Sequence, residues 1–254
     1  TGANNVALGN FALRQNTTGA YNTAVGLCSQ NSVTTASSNV SIGANSLRDN
    51  VTGAANTALG HAALIVNTAS NNTAVGWLSL SANTTGASNT AVGTNALYTN
   101  TVGACNVAVG FDALKVATCG LNTAVGARNM EATTTGECNA SFGYATLISN
   151  TTGGNNSAFG YAPMNANTTG SNNSAFGYCS LAANTTGGGL TAVGAYALDA
   201  NTTASSNTAI GKDALTRNTT GNQNTAIGVG ALSYNDTTHC NTAVGHNALT
   251  FNNG

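Results

Sequence analysis

Six cysteines, three histidines and seven carboxylates have the widest chemical reach in this 254-residue chain. Thiolates and imidazoles would hold zinc if they fell in C-x-x-C or paired-histidine spacing. Cys28, Cys105, Cys119, Cys138, Cys179 and Cys240 show no such spacing. Cys105, Cys138 and Cys240 occupy one repeat position, and Cys119 in a nearby turn could form one disulfide with Cys105 or Cys138. His61 and His246 share a position eleven coils apart, and His239 stands alone. Asp49, Asp112, Glu131, Glu137, Asp199, Asp213 and Asp236 are scattered, whereas a calcium-binding β-roll would repeat Asp in every coil. Asp213 beside Lys212 and Arg217 reads as a solvated charge group. No G-x-S-x-G, phosphate-binding loop or dinucleotide fingerprint occurs. The expectation is a protein that is not an enzyme, with no catalytic, cofactor-binding or metal residues and no cofactor.

Two other sets of residues suit surface chemistry. Tyr144, Tyr161 and Tyr178 recur at one position in three successive coils, a candidate strip for contact with a partner or a sugar, or plain stacking between neighbours. In the turns, N-x-T sequons recur at Asn16, Asn50, Asn83, Asn150, Asn167, Asn184, Asn201, Asn218 and Asn235. If these turns are exposed, Asn16, Asn83, Asn167, Asn184 and Asn218 are candidate glycosylation sites, and the threonines beside them could carry O-linked sugar.

The elements that position these residues follow from a repeat. A glycine recurs from Gly9 to Gly245 every 17 residues, apart from two 16-residue steps, Gly60 to Gly76 and Gly110 to Gly126. The unit reads N-T-A-V-G-x-x-A-L-x-x-N-T-T-G-x-x. The position four before the glycine is Asn5, Asn22, Asn39, Asn56, Asn72, Asn89, Asn106, Asn122, Asn139, Asn156, Asn173, Asn207, Asn224 and Asn241, with Leu190 the one exception. The residue just before the glycine is always apolar: Leu8, Val25, Ile42, Leu59, Val75, Val92, Val109, Val125, Phe142, Phe159, Phe176, Val193, Ile210, Ile227 and Val244. The position before that is always Ala or Ser. Four after the glycine is Leu or Met in every coil but the second, which has Gln30.

Seventeen residues are too few for a helical repeat, which needs about 33. T-A-V suits a strand of a few residues, N-T-T-G is turn chemistry, and A-L reads as a second strand or extended arm. Like residues in every coil mean that each position meets itself in the next. The fold expected is therefore all-β: a parallel β-solenoid, or β-roll, of fifteen 16–17-residue coils over residues 1–254 as a single domain, stacked at ~4.8 Å. The asparagines four before the glycine form a ladder bonded through their side-chain amides. The short coils lose a residue in the N-T-T-G turn. The apolar column before the glycine, with the Leu column after it, fills the core and turns the Ala column outward. The opposite choice would expose a flat Thr-x-Val array.

Asn207-Thr208-Ala209-Ile210-Gly211 and Asn224-Thr225-Ala226-Ile227-Gly228 show the unit most plainly. It resembles the head repeats of trimeric autotransporter adhesins, and it is similar to repeats of phage tail-fibre proteins. The resemblance covers all fifteen coils. It implies a left-handed β-roll, three chains side by side, and an extracellular head or shaft that touches a host-surface glycan or protein. The unit is longer than the commonest adhesin repeat, carries Leu where that pattern has a small residue, and has no coiled-coil stalk beside it.

Charged residues make up 5% of the chain and the net charge is −1, which gives no reason to expect nucleic acid or an anionic surface as partner. No apolar run approaches the roughly 20 residues of a membrane helix, so no membrane insertion is expected. Neither end carries a polar cap of the kind solenoids use. Joining Asn252-Asn253-Gly254 to Thr1-Gly2-Ala3 of a second copy nearly keeps the period, so the expectation is either head-to-tail stacking of copies or a sequence cut from a longer array. These features point to an extracellular, cell-surface or virion-surface structural fibre that binds itself and adheres to surfaces. Two alternatives are a trimeric adhesin head or tail-fibre shaft that binds a glycan, and an ice-binding protein. The latter would present Thr23, Thr57, Thr73, Thr90 and Thr123, interrupted by Val6, Val40, Val107 and Ala140.

Overall fold

The computed structural model describes residues 2–252. The chain is all-β, a parallel solenoid whose strands follow sequence order and mark about fourteen turns. It groups into two compact units, Thr1–Val125 and Gly126–Gly254. The first carries β1 (Val6–Leu8), β2 (Thr23–Val25), β3 (Val40–Ile42), β4 (Thr57–Leu59), β5 (Thr73–Val75), β6 (Thr90–Val92), β7 (Val107–Val109) and β8 (Thr123–Val125). The second carries β9 (Ala140–Phe142), β10 (Ser157–Phe159), β11 (Ser174–Phe176), β12 (Thr191–Val193), β13 (Thr208–Ile210), β14 (Thr225–Ile227) and β15 (Thr242–Val244). Within each unit, neighbouring strands pair in parallel with like positions opposed, as in Val25↔Ile42 and Phe159↔Phe176.

The strands face the other way from the sequence expectation. In β2 to β15 the central Ala or Ser is buried, while the residues on either side of it are half-buried or exposed. The column expected in the core thus lies on the outside. Leu8, Ile42, Leu59, Phe142, Phe176, Val193, Ile210, Ile227 and Val244 are exposed, and Val25, Val75, Val92, Val109, Val125 and Phe159 are half-buried. The reason is the thinness of the coil. The column four after the glycine (Leu47, Leu64, Leu80, Leu97, Leu114, Met130, Leu147, Met164, Leu181, Leu198, Leu215 and Leu232) is buried, as expected for it. One large side chain per coil fills the interior, which leaves room opposite for only a methyl or a hydroxyl.

The A-L segment is not a second strand. It curls through turns in which alternate residues have left-handed backbone, such as Ala62 (φ 54°) and Leu64 (φ 52°). Such conformations cost energy in non-glycine residues. Here they let N–H groups of one turn reach both neighbouring coils: Ala62 donates back to Ala44 (3.0 Å) and Leu64 donates forward to Ser79 (3.1 Å), while Ala63 between them donates to Gly60 of its own coil (3.4 Å). Main-chain bonding between coils therefore continues through the turns. The glycine that ends each strand is obligatory. At Gly26 (φ 131°) a Cβ would lie 2.6 Å from the carbonyl oxygen of Gly43.

The two short coils lose their residue where expected, in the N-T-T-G turn. Asn67-Thr68-Ala69 replaces the longer turn, and the Ala69 carbonyl accepts from both Asn67 Nδ2 (2.7 Å) and Asn56 Nδ2 (2.9 Å). Gly53 holds the same place in the preceding coil, accepting from Asn50 and Asn39. In the other short coil the Cys119 carbonyl takes this role toward Asn106 (2.8 Å). The join through Asn253, Gly254 and Thr1 lies outside the described residues.

This inward and outward assignment has a direct test. Overfilling the strand interior with Ala91→Leu should lower stability by about 1–3 kcal/mol. Val92→Thr, on the outward side of the same strand, should change it by no more than about 0.5 kcal/mol. Urea unfolding followed by circular dichroism measures both; equal losses would reverse the assignment.

Candidate functional site

The reactive side chains do not converge. None of the six cysteines is in a disulfide; Cys119 is buried, with its sulfur accepting from Asn122 Nδ2 (3.2 Å), while Cys105, Cys138 and Cys240 are exposed. His61, His239 and His246 are exposed. Among the described residues no group of three or more His, Cys, Asp or Glu could hold a metal ion, and no helix is long and apolar enough to cross a membrane. Ion pairs join near neighbours in sequence, as in Arg48–Asp49 (2.7 Å) and Arg128–Glu131 (2.8 Å). Arg217 is an exception, bridging to Asp236 (3.6 Å) and covering the ring of Tyr234. Burial pushes the Asp199 carboxyl above its ordinary range, opposed by hydrogen bonds from the Thr216 hydroxyl (2.6 Å) and the Ala200 N–H.

Two asparagine columns line the interior of the coil, and they divide the work. The column four before the glycine bonds side chain to main chain. In the first unit the Oδ1 atoms of Asn5, Asn22, Asn39, Asn56, Asn72, Asn89 and Asn106 each accept the N–H of the next asparagine in the column at 2.8–3.0 Å. Their amides donate to turn carbonyls one coil on, as Asn39 does to Gly53 (2.9 Å). In the second unit Asn139, Asn156, Asn173, Asn207 and Asn224 accept in the same way. Leu190 is tolerated because its N–H still reaches Asn173 Oδ1 (2.9 Å).

The amide-to-amide bonding expected of that column is the rule in the other one, the asparagines of N-T-T-G. Asn167, Asn184, Asn201, Asn218 and Asn235 each donate Nδ2 to the preceding Oδ1 at 2.9–3.2 Å. Each also donates to the carbonyl three residues on, closing the turn. These are the sequon asparagines, so the glycosylation expected at Asn83, Asn167, Asn184 and Asn218 is overturned: all four are fully buried. Asn16 is half-buried, with its amide bonded to Gly19 (3.0 Å). A glycan needs the nitrogen that here faces inward. The turns are exposed, but at their threonines.

The feature that does gather is the outward sheet face. Three columns stand on it: Thr or Ser three before the glycine, the apolar column one before, and a column one after. The last column was missed as a unit by sequence reasoning because its residues vary. It contains Leu27, Trp77, Phe111, Tyr144, Tyr161, Tyr178 and Val229, all exposed. In the second unit Phe142, Phe159 and Phe176 stack at 4.9 Å between centroids, and Tyr144, Tyr161 and Tyr178 stack beside them at 5.3–5.4 Å. Tyr196 closes the tyrosine strip edge-on. The ring faces cover one another, so the strip offers its edges and hydroxyls outward. The face carries no carboxylate in these columns, and Lys212 is the one Lys or Arg.

Comparison with protein families, with characterised proteins and with solved structures finds no match to this chain.

The second asparagine column should be indispensable to the fold. Asn167→Leu strands Asn150 Oδ1 and the Asn184 amide, and should cost about 1–3 kcal/mol for each group left unpaired. Chemical denaturation measures the loss. In addition, secretion through a host that adds N-linked glycans should leave Asn167 and Asn184 unmodified in a peptide map; added glycan at either would contradict their burial.

Proposed function

We infer that this protein is a structural fibre component of an extracellular, cell or virion surface, and that its outward sheet face packs against further copies of itself. The observation that carries the reading is the size and character of that face. In the second unit Phe142, Phe176, Tyr144, Tyr161 and Tyr178 are 39–50% exposed, and Phe159 is half-buried between the other phenylalanines. Taking about 200 Å² per ring, the six leave roughly 500 Å² open. Val193, Ile210, Ile227 and Val229 are also exposed there and extend the patch. The largest apolar patch on a monomeric protein is about 300–600 Å², and a stable interface takes about 800 Å² from each partner.

The composition of the face also suggests packing. Where the column before the glycine enlarges to Phe142, Phe159 and Phe176, the outward residue two before it shrinks from Thr to Ala140, Ser157 and Ser174. On a surface open to water nothing requires such compensation; against a close neighbour the filled volume must stay near constant. A second solenoid with the same coil spacing can match it column for column, and a nearly uncharged face repels no copy of itself. The resemblance to adhesin and tail-fibre repeats fits lateral association of this kind, with attachment to a host-surface glycan or protein as its use.

A second reading draws on the outward threonines. Thr57, Thr73 and Thr90 stand in register on β4 to β6, and Thr191, Thr208, Thr225 and Thr242 on β12 to β15, spaced at the ~4.8 Å of the ladder. A flat, regular hydroxyl array of this kind suits ice binding, although Val6, Val40, Val107, Ala140, Ser157 and Ser174 break it.

Sedimentation velocity separates the two. Side-by-side packing predicts a defined oligomer that Phe159→Lys with Ile210→Lys reduces to folded monomer. A native chain that stays monomeric at its highest soluble concentration would end that reading. Thermal hysteresis in the monomeric fraction would support the second, and its absence at high concentration would remove it.

A further inference from the structure

Two coils break the small-residue rule of the strand interior. Ser41 and Ser141 replace the alanine that every other coil carries at that position. Each is bonded to a polar side chain twelve residues back: Ser41 to Ser29, and Ser141 to Asn129. Gln30, the one polar residue in the Leu and Met column, joins the first cluster. It donates to the Thr23 carbonyl and to Ser41 Oγ, both at 2.9 Å, and Ser29 also reaches Ser46 (3.2 Å). In the second cluster Asn129 donates to the Gly143 carbonyl (3.1 Å). All of these side chains are buried, and each unit holds one cluster. Serine can sit alone at the position of Ser29. Ser79 faces Ala91 and donates to its carbonyl (3.0 Å), and the buried Ser180 hydroxyl finds no partner. What defines the clusters is the matched change on the facing strand.

Such clusters do not add stability. Gln30 Oε1 is buried without a partner, a loss of about 1–3 kcal/mol that Leu would avoid. They discriminate instead. In a stack of near-identical coils, one coil can settle on the next but one, with the coil between extruded as a loop of about 17 residues. The entropy of closing such a loop grows only slowly with its length, and because each repeat contacts only its neighbours the rest of the stack is undisturbed. Main-chain bonds and most columns match equally well after the skip.

We propose that the Ser29–Gln30–Ser41–Ser46 and Asn129–Ser141 clusters are register locks that forbid skipped coils. If the coil bearing Ser41 were passed over, Ser29 and Gln30 would face Ala58 and Ala63 and lose their side-chain bonds to Ser41 and Ser46. Ser29 would keep only a carbonyl acceptor, and one N–H of Gln30 would be buried unpaired beside its remaining bond to Thr23. A single buried polar residue fixes register in coiled coils by the same logic, at a cost in stability.

The test replaces the first cluster with the residues of the other coils: Ser29→Ala, Gln30→Leu, Ser41→Ala and Ser46→Ala together. The unfolding midpoint should hold or rise. Hydrogen-exchange mass spectrometry should show residues 27–46 exchanging about tenfold faster or more in the variant than in wild type, with the flanking coils unchanged, and limited proteolysis should nick the same stretch. Protection over 27–46 equal to that of wild type, whatever the variant's midpoint, overturns the proposal. Asn129→Ala with Ser141→Ala provides the same readout independently over 127–146, should the first variant fold poorly.

Discussion

Everything in this molecule depends on the narrowness of its coil. Seventeen residues close a loop of chain so tight that its interior holds little more than one large side chain, two small ones and two asparagines. That limit decides which way the strand faces and forces left-handed backbone at alternate positions of the return path. It also makes bonds to neighbouring coils the means by which polar groups inside are satisfied. A coil by itself has almost nothing to fold around. Stacked, it gives and receives hydrogen bonds along nearly its whole length: through the strand, as from Val6 to Asn22 and Gly26 to Leu8, and through the turns, as from Ala62 to Ala44.

The two asparagine columns follow from the same limit. An asparagine amide offers two donors and two acceptor sites, which a narrow channel between stacked turns can satisfy with little else present. One column ties side chain to main chain and holds the strand entry; the other ties side chain to side chain and closes the corner. Leucine is accepted at position 190 because its main-chain N–H suffices to donate to Asn173 Oδ1 of the preceding coil. Valine at position 33, alanine at position 117 and threonine at position 133 interrupt the second column.

The repeat, the parallel stacking and the place of the short-coil deletions were legible in the sequence, because each rests on periodicity, and periodicity is what stacking imposes. The facing of the strand was not. Val25 and Leu64 look alike as apolar columns, and only the width of the interior tells which is inside; width is a property of the closed loop and of no residue in it. The sequons misled for a related reason. Asn167-Thr168-Thr169 is turn chemistry in any context, and whether its amide points to water or to the next coil depends on a neighbour 17 residues away. The varied column of Leu27, Trp77 and Phe111 escaped notice because an outward-facing position is free of the interior's volume limit and need not repeat a residue type.

The buried amide column also sets how the protein ages. Hydrolytic loss of ammonia from Asn184 would turn its NH2 group, which now bonds Asn167 Oδ1 at 2.9 Å, into a carboxylate oxygen. Two acceptors would then oppose each other inside a dry channel, with a negative charge between them and no cation beside it. One such event wedges open a joint between two coils, and every coil with an asparagine at that corner is a further chance for it. The working life of the solenoid is thus governed by the chemical persistence of its primary amides, and the rigid packing that holds each one away from water and from the backbone nitrogen that would attack it is also what preserves it.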